Sequence, residues 1–327
     1  MGVKEQIRPV TPSFPQVLAI LTQLAPGQMI PATVVRGLSD LQPAQVIATV
    51  PVWRVLDVDV KRDVIRALIE AGESDFETDY SLFGMLALDD DDALVRSLSI
   101  DLCAYVEGPG YFNTLFEMAQ HDPSEEVQAV AMKALGAFIL QGELGQLPAE
   151  SVEPVVDYLF SVLRNTRLSS EVRARALESI GNSSNQQVVK EIRRAYRGDD
   201  PRLKTASINA MGSSGDDQWT EFIIHELERG APENRFEAAR AAGELSLQEA
   251  VRSLSSLVFA EDSEIVREAV WALGEIGGKE AVRVLEALLE QVDGGDDDLA
   301  DLVEDALDNA NASAGYVFGF DSPEEMN

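Results

Sequence analysis

Along the second half of the chain, apolar side chains recur at helical rather than strand spacing, and glycines punctuate the pattern at a fixed interval. Gly181, Gly212, Gly243 and Gly274 stand 31 residues apart, each closing an alanine-rich stretch. Five residues before each glycine come Ala176, Ser207, Ala238 and Ala269, and two before come Ser179, Ala210, Ala241 and Ala272. Small residues at this spacing let a second helix approach closely. A glycine after the last apolar position suits a helix C-terminus, because it adopts a left-handed conformation without a Cβ clash. Eleven residues past each glycine stand Ile192, Ile223, Leu254 and Leu285, and fifteen past stand Tyr196, Leu227, Val258 and Leu289. That offset of four puts each pair on one face of a second helix.

Each unit therefore reads as helix, glycine turn, helix, turn. Two helices of about a dozen residues plus two turns fill the period at about 1.5 Å per residue. One hairpin cannot bury both its apolar faces alone, so neighbouring units must stack. The expected fold class is all-α: an α-solenoid, a right-handed superhelix of stacked antiparallel helix pairs. Asp200-Pro201, Ala231-Pro232 and Asp262-Ser263 mark successive first-helix starts, combining N-cap side chains with proline in the first turn. Earlier units drift. Asp122 leads to Gly136, and Asp89–Asp92 lead to Leu102-Cys103-Ala104. Gly136 and Gly181 are 45 residues apart, and the excess is read as a longer loop around Gly142–Pro148.

The ends depart from the period. Residues 1–12 are expected to be flexible. Residues 13–88 are expected to form diverged helical repeats, with Trp53 and Leu56 on one helix and Val60, Val64, Ala67 and Leu68 on the next. The array proper is assigned to 89–292. Residues 293–309 read as an acidic capping helix with Leu299, Leu302, Val303, Ala306 and Leu307 as its apolar stripe. Residues 310–327 read as a flexible acidic tail, in which Tyr316, Val317, Phe318 and Phe320 form an apolar cluster able to dock.

Composition narrows the functional classes. The 327 residues carry 57 acidic and 26 basic side chains, a formal charge of −31. Affinity for nucleic acid or anionic membrane needs clustered positive charge, so neither is an expected partner. No apolar run approaches the ~18 residues of a membrane span. Met1-Gly2 opens like a lipidation motif, but Gln6 stands where Ser or Thr is required. One cysteine fits a reducing, cytoplasmic setting.

Candidate chemistry is sparse. His225-Glu226 is a single pair, and the other histidine, His121, precedes a turn. Asp293, Asp296, Asp297 and Asp298 lack the spacing of a calcium loop. Cys103 sits on an apolar face and reads as a small buried hydrophobe. No catalytic set, cofactor site or metal site is assigned, and a small-molecule ligand is not expected. The local exception to the acidic balance is Lys190, Arg193, Arg194 and Arg197 on one second-helix surface, a candidate contact for an anionic partner segment.

The stretch Asp262 to Gly277, with Val266-Arg267-Glu268-Ala269 and Ala272-Leu273-Gly274-Glu275-Ile276-Gly277, resembles the short bacterial HEAT repeats also found in phycobilisome lyases, as does Asp122 to Gly136. The resemblance covers roughly residues 88–310. It implies a ladder in which an Asp near the first helix and a following basic residue link units, as Asp200 with Lys204 and Asp262 with Arg267. Gly136, Gly181, Gly212, Gly243 and Gly274 are then structural repeat positions. The functional expectation is a non-catalytic scaffold or adaptor for protein partners, the negative exterior favouring ones with basic segments. The alternative is a chromophore- or cofactor-handling protein like the phycobilin lyases.

Overall fold

A computed structural model describes residues 13–75, 77–292 and 297–317. Every regular element among them is helical. The expectations for residues 1–12, and for Phe318 and Phe320, lie outside the described residues. The chain divides into two compact units, Met1–Leu135 and Gly136–Asn327.

The N-terminal unit contains α1 (Phe14–Thr22), α2 (Ala32–Gly37), α3 (Pro43–Val55), α4 (Val58–Ser74), α5 (Ser81–Ala87), α6 (Ala93–Leu102) and α7 (Pro109–His121). The next helix, α8 (Glu125–Glu143), runs across the division. Trp53 and Val60, Val64 and Leu68 fall on α3 and α4 as the pattern requires, and all are buried. Trp53 meets Phe83 edge-on, with ring centroids 5.1 Å apart, inside a core that includes Leu21, Leu38, Ile65 and Leu68.

The C-terminal unit continues with α9 (Ala149–Arg164), α10 (Ser170–Ile180), α11 (Gln186–Tyr196), α12 (Pro201–Ser213), α13 (Thr220–Arg229), α14 (Pro232–Glu244), α15 (Val251–Leu257), α16 (Ser263–Ile276), α17 (Gly278–Val292) and α18 (Asp297–Val317). Asp200 caps α12 by accepting from the backbone N–H groups of Arg202 and Leu203, and Asp262 caps α16 likewise. α14 begins at Pro232 without a side-chain cap. Ile192, Ile223, Leu254 and Leu285 are all fully buried, as the second-helix frame predicts.

The first helices α10, α12, α14, α16 and then α18 pack one against the next, whereas the second helices α11, α13, α15 and α17 barely touch one another. The repeat glycines explain this asymmetry, and they correct the expectation of a left-handed turn. Gly212, Gly243 and Gly274 lie inside the last turn of their helices, Gly136 lies within α8, and Gly181 is a C-cap with φ −51°. Their function is close approach. A Cβ on Gly181 would stand 2.8 Å from Ala210 Cα, one on Gly212 2.7 Å from Ala241 Cα, and one on Gly243 3.0 Å from Ala272 Cα. Each glycine thus receives the alanine two residues before the glycine of the next unit. The pattern runs on into α18, where Ala306 Cα would be 3.0 Å from a Cβ on Gly274. The left-handed turns come three residues later, at Gly215, Ser246 and Gly277, with φ of 63°, 49° and 62°.

The long interval after Gly136 is also not a long loop. α8 has 19 residues and α9 has 16, so most of the excess extends helices. Gly142 faces Val152 across the short turn, where a Cβ would meet Val152 Cγ2 at 2.8 Å. α18 continues past Asn309 to Val317, with Val303, Ala306 and Ala310 buried.

Candidate functional site

The basic residues of α11 do not form a uniform patch. Arg193 is held in place: its guanidinium lies 5.3 Å from the Trp219 ring centre and donates to Gln218 Oε1 at 2.6 Å. Arg194 is 72 % exposed and reaches Glu191 only at 3.8 Å. Glu191 in turn accepts from Arg164 at 2.8 Å. Lys190 and Arg197 are exposed, and neither forms an ion pair among the described residues. Beside Arg194 lies a hollow of about 250 Å³ where Arg173 faces Asp199 and Asp200, so both charge signs line it.

Behind this surface sits a buried polar node that the sequence did not disclose. Glu226, 1 % exposed, accepts from the Tyr196 hydroxyl at 2.6 Å, from Lys204 Nζ at 2.9 Å and from Asn234 Nδ2 at 3.0 Å. Burial pushes its carboxyl up, but these donors outweigh burial and hold it below the usual carboxylate range. Three donors around one buried carboxylate tie α11, α12, α13 and α14 together. The only sequence signal was a polar Tyr196 standing where other units carry Leu or Val.

The expected ladder takes another form. Asp200 does not pair with Lys204. It caps α12 and accepts from Ser170 Oγ, while Lys204 turns to Glu226 and covers the Tyr196 ring at 5.1 Å. Asp262 only caps its helix, and Arg267 is exposed with no ion pair among the described residues. Four residues past the N-cap stand Lys61, Arg96, Arg173, Lys204, Arg235 and then Val266, so α16 has no basic residue there; Arg267, like Arg62, is five past.

The ladder itself is complete in the N-terminal unit. Lys61 pairs with Asp90 at 2.7 Å, and Trp53 Nε1 donates to the same carboxylate at 2.9 Å. Arg62 forks onto Asp92 at 3.0 and 2.7 Å, and Arg96 onto Asp122 at 2.8 and 2.7 Å. The acid lies two residues before the next N-cap, as Asp90 does before Asp92. The equivalent residues in the C-terminal unit are Arg167, Gly198, Arg229 and Ala260, none of them acidic. Arg235 accordingly keeps a buried Nε without a hydrogen-bond partner.

The remaining candidates are placed as follows. Cys103 is buried, and burial pushes its thiol up to about 12, with Asp79 adding to the effect. His225 and His121 are exposed on separate units. Among the described residues no group of His, Cys, Asp and Glu is arranged to hold a metal ion. None of the described helices is long and apolar enough to cross a membrane. On the first-helix layer, Glu237, Glu244 and Glu268 surround a single Arg240, which lies 3.5 Å from Glu268 and 3.9 Å from Glu237. Burial pushes the Glu244 carboxyl up to about 7, Arg240 opposes this, and Glu237 and Glu268 add to it.

Stacked helix pairs joined through a glycine–alanine seam define an α-solenoid. Residues 220–308, from α13 into α18, match the family model described as HEAT repeats. No curated protein matches the chain in sequence. Solved structures similar to it include yeast importin-beta, at 11 % identity over 92 % of this chain and 46 % of that one, with a TM-score of 0.44. Human deoxyhypusine hydroxylase in complex with glycerol is 16 % identical over 91 % of this chain and 97 % of that one, with a TM-score of 0.37. The Escherichia coli protein YibA is 14 % identical over 88 % of this chain and 99 % of that one, with a TM-score of 0.41.

Proposed function

We propose that the chain is a non-catalytic scaffold that binds protein partners, in particular partners carrying basic segments. The observation that supports this reading is the disposition of buried charge. Glu226, Asp90 and Asp122 are each satisfied by side chains of adjacent helices, so they act in stacking. The helical faces that remain are broad and exposed on a chain of charge −31. Such a surface speeds encounter with cationic partners at low salt more than it adds affinity. In this reading the exposed Lys190, Arg194 and Arg197 are a local exception at which an acidic stretch of the same partner registers.

The test is affinity capture with the full chain, followed by cross-linking to locate the contact. A reproducible partner is expected, cross-linked to exposed helical faces and released several-fold more readily as salt rises from ~50 to ~300 mM. Failure to retain any protein, together with turnover of a small molecule by the purified chain, overturns the reading.

A further inference from the structure

Helix α3 carries a single charged side chain, Arg54, and is otherwise apolar or neutral all round. Such a helix is ordinarily buried on every side. α3 is buried on one side only. Thr49 and Trp53 point into the core, while Ala44, Ile47, Ala48, Pro51, Arg54 and Val55 are exposed. These six fall at helical spacing and form one continuous stripe. Ile47 is 72 % and Val55 75 % exposed. The neighbouring second helix α5 has no charged side chain and exposes Leu82. The second helices of the C-terminal unit are unlike this, α11 alone carrying Lys190, Glu191, Arg193 and Arg194.

Charge points to the occupant. The chain carries −31, yet residues 1–56 hold four basic side chains, Lys4, Arg8, Arg36 and Arg54, against two acidic ones, Glu5 and Asp40. The acids that bracket α3, Asp40 and Asp57, lie beyond its ends. Two copies of so acidic a chain repel over most of their surface. Along this stripe they meet without setting carboxylate against carboxylate.

The stripe is also complementary to itself. Laid antiparallel about a two-fold axis between Thr49 and Val50, it sets Ala44 against Val55 of the second copy and Ala48 against Pro51, small against large. Gln45 then faces Arg54. Pro51 has no N–H to give the Ile47 carbonyl, and Arg54 of the second copy comes within a turn of that free acceptor.

We propose that the outer stripe of α3 pairs two copies of this chain in an antiparallel, two-fold contact. The pairing rests on α3 and not on the partner-binding reading, so either can fail separately.

Sedimentation velocity of the full chain tests it. One helix about 20 Å long covers less than the ~800 Å² per partner of a stable complex, so a reversible dimer with a dissociation constant on the order of tens of micromolar is expected. Association should tighten several-fold from ~50 to ~500 mM salt, because salt screens the repulsion and leaves the apolar contact. Ile47→Glu should weaken it about tenfold or more with an unchanged far-UV spectrum, since that side chain is exposed. Ala48→Cys should give a disulfide-linked dimer on mild oxidation, whereas the parent, whose Cys103 is buried, should not. Other occupants give other results. A chain that dimerises only after Val3 and Ile7 are replaced by Asp covers the stripe with its own first residues, and a monomer carried down with phosphatidylcholine vesicles uses it on lipid. Either result overturns the proposal, as does a chain monomeric throughout, an Ile47→Glu variant that pairs as tightly as the parent, or association that weakens as salt rises.

Discussion

The two units hold neighbouring repeats together by different physics. In the N-terminal unit, charged side chains reach across: Lys61 to Asp90, Arg62 to Asp92 and Arg96 to Asp122. In the C-terminal unit, backbones come together, with Gly181, Gly212, Gly243 and Gly274 each receiving an alanine of the next first helix. The two devices overlap in part, since Arg202 also reaches Glu171 and Arg240 reaches Glu268 at 3.5 Å, but the buried ladder and the glycine positions separate. Twelve residues past the N-cap, the glycine position of the C-terminal repeats, the N-terminal helices carry Ile69 and Ala104. Where the C-terminal unit needs a ladder acid it has Arg167, Gly198, Arg229 and Ala260. One helical repeat therefore tolerates two kinds of seam. A charged seam needs two complementary charges matched across units and low solvent access, whereas a glycine seam needs an absent side chain on one helix and a small one on the next.

The comparison is most sharply broken at Arg96. Arg96→Ala leaves Asp122 buried without its bidentate partner and should destabilise the N-terminal unit by about 3–5 kcal/mol. Thermal melting should show this as the largest drop among single substitutions of either seam. Next is Gly212→Val, whose side chain would press on Ala241 Cα and the Glu244 carboxylate. A loss of about 2–3 kcal/mol is expected, with a lower melting midpoint.

Third comes a pH effect confined to the glycine seam. Because the folded Glu244 carboxyl titrates at about 7 rather than its ordinary 4.5, the folded state holds a proton that the unfolded chain releases. Its contribution is complete below about pH 4.5 and is lost as pH rises through about 7. Glu244→Gln should therefore stabilise the protein by on the order of 1–2 kcal/mol at pH 8 and change little near pH 4. An equal effect at both pH values would contradict the assignment. The smallest effect is expected at Arg267. Arg267→Ala should shift stability by less than about 0.5 kcal/mol in the same melts, because that residue is exposed and forms no ion pair among the described residues.

Much of the architecture was legible because it rests on period. The 31-residue interval located the helix pairs, the Asp200 and Asp262 caps, and the buried Ile192, Ile223, Leu254 and Leu285. What composition could not distinguish was the reason for a glycine. A turn and a close approach both favour a missing Cβ, and only the distance to Ala210 or Ala241 separates them. The ladder was misplaced for a similar reason. Asp262 and Arg267 have the right chemistry, but Asp262 is taken up as an N-cap and Arg267 is exposed. The Glu226 node was illegible because the repeat pattern marks apolar and small positions, whereas the node joins polar side chains of four successive helices that have no counterpart in the other units.

One consequence concerns the outer side of α18. α18 presents Ala306 to Gly274 as a further repeat would, yet its opposite side carries exposed Asp301, Glu304, Asp305 and Asp308. A second copy offering the same end would bring eight carboxylates face to face. Pairing of two copies through this side of α18 is therefore electrostatically disfavoured, although its inner side carries the same seam as the helices before it.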